Sequence, residues 1–483
     1  MINLRELVHE SYPEHPGLEL MPDVPVHGIE VDSRKVENGF LFIAVRGTKI
    51  NGNDFIAEAI SRGATAIVTD RPEIRAKVPV VVVPESRIAS GRLASVFYGH
   101  PSRSMKVIGV TGTNGKTTTT YLLEHFLTNE GRKVGVIGTV SYRLGNEIIP
   151  AKETTPGSLQ VQHFMQKMHE AGCDYVAMEV SSHALDQHRA EGVEFQSALF
   201  TNLTQDHLDY HKTLDAYFKS KAKLFLSLRK GKVAVLNADD AWAMKLSSIL
   251  SCQVVTFGIE HDADFMARDV KFYPDCTQFT LESHGIKLPV SLPLVGRFNV
   301  YNALGALAIM KTLGFSSEKT VESLYHFGGV PGRLERIPNN KNISVLVDFA
   351  HTPDGLSNVL KTLSEHKRRK LIVVFGCGGD RDRGKRPKMG RIAAELADFV
   401  YVTSDNPRSE DPACIADEIA AGFPSGYRKY QVILNRTDAI RAALLSAEEE
   451  DIVLLAGKGH ETVQVVGTTA IPFSDREEVM RVL

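Results

Sequence analysis

A glycine-rich loop between an apolar strand and a helix constrains the fold of this chain more than any other feature. The run 110–118 reads VTGTNGKTT. The apolar segment 105–110 predicts a buried strand, and residues 119–127 have apolar side chains at helical spacing. A strand, a glycine loop, Lys-Thr and a helix in this order are typical of a phosphate-binding loop. The usual pattern has glycine where this chain has Val110, so the sequence predicts a variant of that loop.

The residues of this loop indicate a nucleotide site. Backbone N–H groups in a glycine-rich loop and the N-terminus of the following helix attract phosphate oxygens. Lys116 would add a positive charge, and the hydroxyl of Thr117 can ligate Mg²⁺. A Gly/Thr-rich turn that binds nothing is the alternative, but it does not explain why position, lysine and hydroxyl agree. The predicted ATP-binding residues are Thr111, Gly112, Thr113, Asn114, Gly115, Lys116 and Thr117.

The composition excludes several classes of protein. A length of 483 residues suggests about three domains. A hydrophobic fraction of 43% and a net charge of −2 are typical of a soluble globular enzyme and give no basic field for nucleic acid. The five cysteines are scattered without a Cys-x-x-Cys pair, which indicates reduced thiols. We find no signal peptide and no apolar run of membrane-spanning length, so we expect a cytoplasmic protein without nucleic-acid or membrane partners.

Strand and helix patterns divide the chain into three α/β regions, 1–102, 103–332 and 333–483. In the last two, short apolar runs alternate with helical patterns, which predicts mostly parallel sheets with helices on both faces. Such sheets bind ligands at the carboxyl ends of their strands. The predicted strands are 40–45, 66–68, 78–83, 105–110, 134–137, 175–180, 198–201, 233–236, 254–257, 344–347, 371–375, 399–403 and 452–455, and a late helix is predicted at 299–313.

Three polar motifs of the second region have more than one interpretation. Glu179 ends a predicted strand, where its carboxylate either reaches a metal at the phosphate loop or caps the next element. The dense polar run 206–211 indicates metal binding or substrate positioning, with a solvated loop as the alternative. Lys221 lies between Lys219 and Lys223 on a predicted helix, and this spacing alone favours a solvated basic helix.

Four motifs of the third region also follow predicted strands. Asp348 and His351 precede a helix, and helix capping does not account for the pair. The segment 375–387 is glycine-rich and then cationic, which suits carboxylate recognition and is also compatible with a basic surface loop. The run 405–408 fixes a turn from which its arginine projects, and 456–461 ends the last strand in a glycine turn.

Together, and in this order over nearly the whole chain, the motifs resemble those of the Mur ligase family. Thr-Gly-Thr-Asn-Gly-Lys-Thr is that family's own form of the phosphate loop, which accounts for Val110. The resemblance implies an α/β protein with an N-terminal UDP-binding domain over 1–102, a central phosphate-loop ATPase domain over 103–332 and a C-terminal dinucleotide-fold-like domain over 333–483. We expect a monomer.

The resemblance also implies roles for particular residues. Those expected at the nucleotide, besides the loop, are Asn302, Arg333 and Asp348. Those expected at a UDP-muramoyl dipeptide are Ser33, Thr154, Thr155, Ser181, Gln187 and Arg189, with Thr48 to Ile50 added by position. Lys221 matches a lysine that these enzymes carbamylate with CO₂ to hold the second Mg²⁺. The candidate ligands of the two Mg²⁺ ions are Thr117, Glu179, His207 and this carbamylated Lys221. The expected catalytic residues are Lys116, Lys221, His207 and His351, the last as a base or an orienter of the amine. The family's Asp-Tyr-Ala-His appears here as Asp348-Phe349-Ala350-His351, without the tyrosine hydroxyl.

One motif indicates which amino acid is added. Asp405-Asn406-Pro407-Arg408 resembles the members that use diaminopimelate, whereas lysine-using members lack the arginine. Diaminopimelate differs from lysine by a second carboxylate, which a rigidly held guanidinium would bind through paired hydrogen bonds. The expected amino-acid-binding residues are Arg381, Asp405, Asn406, Pro407, Arg408, Gly457 and Glu461.

The activity implied by the resemblance is ATP-dependent amide ligation in peptidoglycan synthesis. ATP would phosphorylate the D-glutamyl γ-carboxylate of UDP-N-acetylmuramoyl-L-alanyl-D-glutamate, and the amine of meso-2,6-diaminopimelate would attack the acyl phosphate. One alternative is a ligase of the same fold that uses lysine or extends folates, against which Arg408 and the UDP-site segment 31–34 argue. The other is a phosphate-loop switch that moves a partner, which would not need the three carboxylate-recognition loops of the third region.

Overall fold

The N-terminal part of the protein is built on a parallel sheet. The computed structural model describes residues 2–47, 50–273 and 276–483. In this part the strands are β1 (Ile2–Asn3), β2 (Pro25–Val26), β3 (Gly28–Glu30), β4 (Phe40–Ile43), β5 (Ala64–Thr69) and β6 (Val80–Val82); the α-helices are α1 (Leu4–Ser11), α2 (Ile56–Ser61) and α3 (Ser86–Phe97); and 3₁₀ helices lie at Ser33–Lys35, Gly52–Phe55 and Pro101–Arg103. Strands β3 to β6 pair in parallel in that order, and α1 and α3 bury apolar side chains against them.

The central part holds the largest sheet. Its strands are β7 (Lys106–Thr111), β8 (Val134–Ile137), β9 (Ser141–Leu144), β10 (Glu147–Pro150), β11 (Tyr175–Glu179), β12 (Phe195–Phe200), β13 (Val233–Asn237), β14 (Gln253–Gly258), β15 (Phe265–Phe272), β16 (Thr277–Ser283) and β17 (Ile286–Leu292). Its helices are α4 (Lys116–Asn129), α5 (Ser158–Glu170), α6 (Ser182–Asp186), α7 (Leu208–His211), α8 (Leu214–Leu226), α9 (Ala241–Ser247), α10 (Arg297–Thr312) and α11 (Ser317–Ser323), with a 3₁₀ helix at Leu324–His326.

The strand order of this sheet brings three strand ends to one place. The order is β10-β9-β8-β11-β7-β12-β13-β14-β15-β16-β17, parallel from β8 to β15 and antiparallel at both edges. Strand β7 lies between β11 and β12, with Glu179 beside Val110 and Phe200 beside Thr111. The phosphate loop, Glu179 and the loop after β12 therefore lie together at the carboxyl edge of the sheet, as expected for a parallel sheet.

The C-terminal part repeats this arrangement on a smaller sheet. Its strands are β18 (Glu335–Ile337), β19 (Ser344–Asp348), β20 (Leu371–Phe375), β21 (Phe399–Val402), β22 (Tyr430–Val432), β23 (Ile452–Ala456), β24 (Val463–Val466) and β25 (Thr469–Pro472); its helices are α12 (Pro353–His366), α13 (Lys385–Leu396), α14 (Pro412–Ala420), α15 (Arg436–Ser446) and α16 (Asp475–Val482). The order is β18-β19-β23-β20-β21-β22, and the loops after the parallel strands β19, β20, β21 and β23 converge at one edge. Strands β24 and β25 form a separate antiparallel hairpin.

Apolar side chains cover both faces of the central sheet. On one face Leu122 of α4 and Leu304 of α10 pack against the strands, and on the other Met165 of α5 and Phe225 of α8 do so. Burial on both faces explains the near-continuous apolar runs of β7 and β11, because a parallel strand covered on both sides has no solvent-facing positions.

The predicted α/β class with a mostly parallel central sheet is confirmed. The strands predicted at 134–137 and 371–375 have those bounds in the structure. The sequence interpretation missed the antiparallel strands at the edges of the central sheet and the β24–β25 hairpin. Burial alternates along β16, which leaves a shorter apolar signal than a strand buried on both faces. In the described ranges, no helix is both long enough and apolar enough to cross a membrane.

Candidate active site

The phosphate loop follows β7, and α4 begins at its end. The ammonium of Lys116 donates to the carbonyl oxygens of Gly112 at 2.9 Å and Thr113 at 2.8 Å. Burial lowers the pKa of Lys116, against the attraction of the Glu179 carboxylate. A lysine held at the N-terminus of a helix, among backbone amides, is an arrangement that binds the phosphates of a nucleotide.

Oxygen donors lie directly beside this loop. Thr117 Oγ1 donates to Glu179 Oε2 at 3.0 Å, and the backbone N–H of Thr139 donates to Glu179 Oε1 at 2.9 Å. The Thr139 hydroxyl lies 2.9 Å from Glu179 Oε2 and 3.1 Å from the hydroxyl of Thr154. Among the residues that the structure describes, no three His, Cys, Asp or Glu side chains are grouped for a metal. A hydroxyl and a carboxylate at a phosphate loop nevertheless fit Mg²⁺, which typically takes one or two carboxylates together with phosphate and water oxygens.

Lys221 of α8 is directed into the protein, so the solvated helix favoured by lysine spacing is wrong at this position. The residue is 1% exposed, and its Nζ donates to Gly112 O at 2.7 Å. The side chains of Lys219 and Lys223 on the same helix are 74% and 42% exposed. Burial and the neighbouring Lys116 hold the pKa of Lys221 well below its usual value. Both effects shift the protonation equilibrium of Lys221 toward the neutral amine.

His207 lies on the loop after β12, among other rings. Its ring centre is 4.7 Å from that of His183 and 6.1 Å from that of Tyr217, and its Nε2 is 3.4 Å from Asp206 Oδ2. Protein atoms packed around the imidazole lower the pKa of His207 to about 3. The ring is neutral near pH 7 and keeps a lone pair that can accept a proton or bind a cation.

A cavity of about 480 Å³ opens next to the phosphate loop. Its lining includes the predicted nucleotide-contacting residues Asn114, Gly115, Thr117, Asn302, Arg333 and Asp348. Gly115 has a φ of +87°, and a Cβ there would lie 2.2 Å from Asn302 Oδ1, so this position requires glycine. Arg333 Nη2 donates to Thr117 Oγ1 at 3.1 Å, which brings the start of the C-terminal part to the loop. The cavity is therefore a candidate nucleotide site, bounded by both parts of the chain.

Phe349, at the position where the resemblance implies a tyrosine, contacts Arg333. The guanidinium lies 4.7 Å from the centre of the Phe349 ring. A cation over an aromatic face interacts with the ring itself, so this contact does not need the missing hydroxyl. The neighbouring Asp348 accepts the backbone N–H groups of Leu334 at 2.6 Å and Ala350 at 2.8 Å, which fixes the loop on which Phe349 lies.

His351 follows in the same loop and is held by two contacts. Its Nδ1 lies 2.8 Å from the carbonyl oxygen of Phe349, and its own carbonyl accepts the ammonium of Lys385 at 2.8 Å. Because a carbonyl only accepts, Nδ1 carries the hydrogen and the lone pair is on Nε2. Burial, then Lys385, lowers the pKa of His351 to about 4, so the ring is neutral near pH 7.

The structure brings most of the predicted dipeptide-binding residues into one cluster near Glu179. Arg189 donates to the carbonyl oxygen of Thr155 at 2.9 Å and to Gln187 Oε1 at 2.8 Å. The backbone N–H of Ser181 donates to Thr155 Oγ1 at 3.1 Å. The Arg189 guanidinium also pairs with the Glu153 carboxylate, so the cluster contains a paired arginine together with several hydroxyl and amide groups.

Ser33 lies apart from that cluster, in the N-terminal part. It is 5% exposed, and its hydroxyl donates to Glu58 Oε2 at 2.7 Å. In the described part of the chain, its hydrogen bonds connect it to no other predicted site residue. Of the segment Thr48 to Ile50, Thr48 and Lys49 lie outside the described residues.

The loops after β21 and β23 carry four of the predicted amino-acid-binding residues and bring them close together. Asp405 and Asn406 are 8% and 5% exposed. Gly457 has a φ of +109°, and a Cβ there would lie 2.8 Å from Asp405 Oδ2. Asn406 Nδ2 donates to Glu461 Oε2 at 2.9 Å. The two loops are therefore fitted closely to each other at the carboxyl edge of the sheet.

Arg408 is fixed at both its side chain and its backbone. Its φ is +51°, and its Nη1 donates to Gly379 O at 2.7 Å. Its backbone N–H donates to Val465 O at 3.1 Å, and its carbonyl accepts from Gly467 N at 2.7 Å, so the β24–β25 hairpin holds it from both sides. Burial, then the neighbouring cation Arg381, lowers the pKa of Arg408. Two guanidinium groups near each other favour an anion such as a carboxylate.

Sequence reasoning missed two contacts that organise the site. Asp354 Oδ2 accepts from Asn114 Nδ2 at 2.8 Å and from the Thr204 hydroxyl at 3.3 Å, which ties α12 to the phosphate loop. Lys458 is fully buried behind Asn406. The available signals were an acidic residue in the first turn of α12 and a lysine between two glycines after a buried strand.

Most of the chain is similar to known proteins. Residues 25–98 match the Mur ligase family catalytic domain, residues 110–310 the Mur ligase middle domain, and residues 332–459 the Mur ligase glutamate ligase domain. A UDP-N-acetylmuramoyl-L-alanyl-D-glutamate–2,6-diaminopimelate ligase of Geobacillus thermodenitrificans is 46% identical over 461 residues, covering 94% of each chain. One of the same name from Gloeobacter violaceus is 46% identical over 466 residues, covering 96% of this chain and 95% of the relative.

A solved structure of a protein with that name gives the same result. It superposes with a TM-score of 0.68 and 35% identity, and covers 95% of this chain and 94% of the other. Identity of this extent over nearly the full length, with family matches to all three parts, shows that the chain belongs to the Mur ligase family.

Proposed function

We propose that this protein joins meso-2,6-diaminopimelate to the D-glutamyl γ-carboxylate of UDP-N-acetylmuramoyl-L-alanyl-D-glutamate, a step of peptidoglycan synthesis, while ATP is converted to ADP and phosphate. The relatives carry the name of a ligase for these two substrates. One observation carries the proposal: the same chain has both a phosphate loop beside Glu179 and a rigidly held Arg408 near Arg381.

We assign the three substrates, which are the UDP-muramoyl dipeptide, ATP and diaminopimelate, to three domains. The UDP substrate would bind to 1–102 through Ser33 and to the cluster of Thr154, Thr155, Ser181, Gln187 and Arg189. ATP would bind to 103–332, with Arg333 and Asp348 added from 333–483, and the last range would also bind the amino acid. The separate sheets of the three parts support this division. A cytoplasmic monomer is proposed, and the scattered positions of the cysteines, with no Cys-x-x-Cys pair in the sequence, support a reducing compartment.

The first chemical step activates the carboxylate. A γ-carboxylate oxygen of the D-glutamyl residue would attack the γ-phosphorus of ATP, forming an acyl phosphate and releasing ADP. The residues of the loop would contribute position and charge: Lys116 lies among the loop's carbonyl oxygens, and the N-terminus of the helix would face the bound phosphates. Arg333, which reaches Thr117, adds a second cation at the same place. Most of the rate increase would come from holding two anions together.

The second step forms the amide. The neutral amine of diaminopimelate would attack the acyl carbon and form the C–N bond. The bond between the acyl carbon and the phosphate oxygen would then break, and phosphate would leave with the electron pair. One proton of the amine must be removed, and we assign its acceptance or the orientation of the amine to His351, whose Nε2 carries a lone pair. His207 is another imidazole of the site with a lowered pKa.

Two Mg²⁺ ions are proposed to bind through Thr117, Glu179, His207 and a carbamylated Lys221. When bound, Mg²⁺ would supply positive charge that offsets the phosphates and the carboxylate. Lys221 is suited to carbamylation because a neutral amine reacts with CO₂, and its lowered pKa favours that form. The carbamate would replace a cation with an oxygen ligand that a hard metal accepts.

Purified protein incubated with ATP, Mg²⁺, UDP-muramoyl dipeptide and a panel of amino acids tests the function. We expect ADP, phosphate and a ligated tripeptide product with meso-diaminopimelate, read by mass. A product with lysine alone would favour the lysine-adding alternative. Nucleotide turnover that needs neither small substrate would favour a phosphate-loop switch, and AMP with pyrophosphate would exclude the acyl-phosphate route.

A further inference from the structure

A lysine buried behind the proposed amino-acid site connects two of its binding residues. Lys458 lies between Gly457 and Gly459, directly after β23, and is 0% exposed. Its ammonium donates to Asn406 Oδ1 at 3.0 Å and to Glu461 Oε2 at 2.8 Å. A buried ammonium without partners is strongly unfavourable, so both contacts are needed where Lys458 lies.

These contacts determine the orientation of the Asn406 amide. Its Oδ1 accepts from Lys458 Nζ and, at 2.9 Å, from the backbone N–H of Val465 in β24. With two donors on Oδ1, the NH₂ group must lie on the other side, where it donates to Glu461 Oε2 at 2.9 Å. A hydrophobic side chain in place of Lys458 would remove one of the two donors that select this orientation.

The same contacts leave one carboxylate oxygen of Glu461 for another partner. Oε2 receives both Lys458 and Asn406, whereas within the described residues no hydrogen bond reaches Oε1. The Glu461 side chain is 30% exposed, unlike the lysine that holds it. An ammonium group is the natural partner for a partly exposed carboxylate oxygen.

We propose that Lys458 is a positioning residue for the amino-acid substrate: it locks the Asn406 amide and the Glu461 carboxylate so that Glu461 Oε1 receives an ammonium group of diaminopimelate. This inference rests on the proposed function. It assigns to Lys458 no contact with ATP or with the UDP substrate. Its removal should therefore alter the binding of one substrate out of three.

The test is a double-mutant cycle with Lys458→Met and Glu461→Gln. Each single variant should raise the KM for diaminopimelate by about 10-fold or more, because a charge-assisted hydrogen bond is lost, while the KM values for ATP and the dipeptide change by less than about 2-fold. Lys458 is proposed to act by holding the Glu461 carboxylate, so the two effects should not multiply. The KM for diaminopimelate in the double variant should exceed that of the poorer single variant by no more than about 3-fold. Lys429→Met, an exposed lysine of the same part of the chain, is the matched control.

Several results would overturn the inference. These are an unchanged KM for diaminopimelate in Lys458→Met, an equal rise in all three KM values, or effects that multiply in the double variant. If Lys458→Met alone fails to fold by circular dichroism, the double variant removes both charges and should fold; its comparison with Glu461→Gln then gives the result. Failure of both to fold would also count against positioning. Absence of ligation by the wild-type protein would instead refute the proposed function.

Discussion

The side-chain nitrogen Nζ of Lys221 donates a hydrogen bond of 2.7 Å to the carbonyl oxygen of Gly112, inside the phosphate loop. The lysine comes from a helix that follows β12, whereas the glycine follows β7, so the contact joins the two adjacent strand ends at which the site is built. Its surroundings favour the neutral amine, since burial and the nearby Lys116 hold the pKa of Lys221 well below its usual value. A change of charge or of ligand chemistry at Lys221 would therefore be felt directly at the loop proposed to bind phosphate.

Replacing Lys221 with alanine should reduce ligation by more than about 100-fold, because a metal-binding group would be lost from the site. Acetate or propionate at high concentration should restore part of the activity, since a small carboxylate can supply the oxygen ligand that the proposed carbamate provides. Steady-state ADP release with all three substrates measures both effects.

Lys219→Ala is the matched control for this experiment. It lies on the same helix, and its side chain is 74% exposed, so activity should stay within about 2-fold of wild type. Near-normal activity of Lys221→Ala without added carboxylate would contradict the carbamate proposal.

The phosphate loop gives a second prediction. Lys116→Ala should lower ATP-dependent amide formation by at least about 10²–10³-fold, because a preorganised charge at the transferring phosphoryl group would be lost. The fold should persist, since among the described residues the ammonium donates hydrogen bonds to the loop's own carbonyls alone, at 2.8–2.9 Å. Product mass measures turnover and circular dichroism the fold. Lys319→Ala, an exposed lysine of α11, should behave as wild type.

The edge of the central sheet was predictable from sequence because its signals are local. The apolar strand, the glycines and Lys116 follow one another in the chain, and a parallel sheet brings the ends of adjacent strands together. Glu179 could be placed near the loop by this argument alone. The pairing of Glu179 beside Val110 confirms that placement.

Lys221 and Lys458 were not predictable in the same way. Three lysines at alternate positions of one helix give the same sequence pattern whether the middle one faces water or the protein interior. The packing of α8 on the sheet determines that Lys221 faces inward. Lys458 occupies a glycine turn that reads as a simple loop, and its partners Asn406 and Glu461 become neighbours only through the strand order β23-β20-β21. The bond from Arg333 to Thr117 likewise depends on how two separate sheets meet.

Arg408 gives a third prediction, on substrate choice. Arg408→Asn should lower kcat/KM for diaminopimelate by at least about 30-fold, equivalent to the lower end of roughly 2–5 kcal/mol for a lost buried charge pair. The KM for ATP should change little, because Arg408 bonds to Gly379 and to the β24–β25 hairpin rather than to the nucleotide cavity. When diaminopimelate and lysine compete and their products are separated by mass, the Arg408→Asn variant should prefer diaminopimelate less strongly than the wild type does.

Arg391→Asn controls for the loss of an arginine from the same part of the chain. Its side chain is 73% exposed and pairs with Glu395 one helical turn away. Its kinetics should match the wild type. If Arg408→Asn changed the use of ATP and diaminopimelate alike, the specificity assignment would be wrong.

Acid stability gives the last prediction, through the buried Arg386. Its guanidinium donates to Glu410 at 2.8 and 2.9 Å, and this pairing lowers the pKa of Glu410 from 4.5 to about 2. A carboxylate with a depressed folded-state pKa stabilises the protein fully above its unfolded pKa, and that contribution is lost as the pH falls toward the folded value. Urea unfolding should therefore show Glu410→Gln less stable than wild type at pH 7, with the difference shrinking between pH 4.5 and about 2. Glu395→Gln is the control, because its partner Arg391 is exposed, and its free energy of unfolding should follow that of the wild type across this pH range. If the stability difference between Glu410→Gln and wild type stayed constant down to pH 2, the pairing with Arg386 would not set this titration.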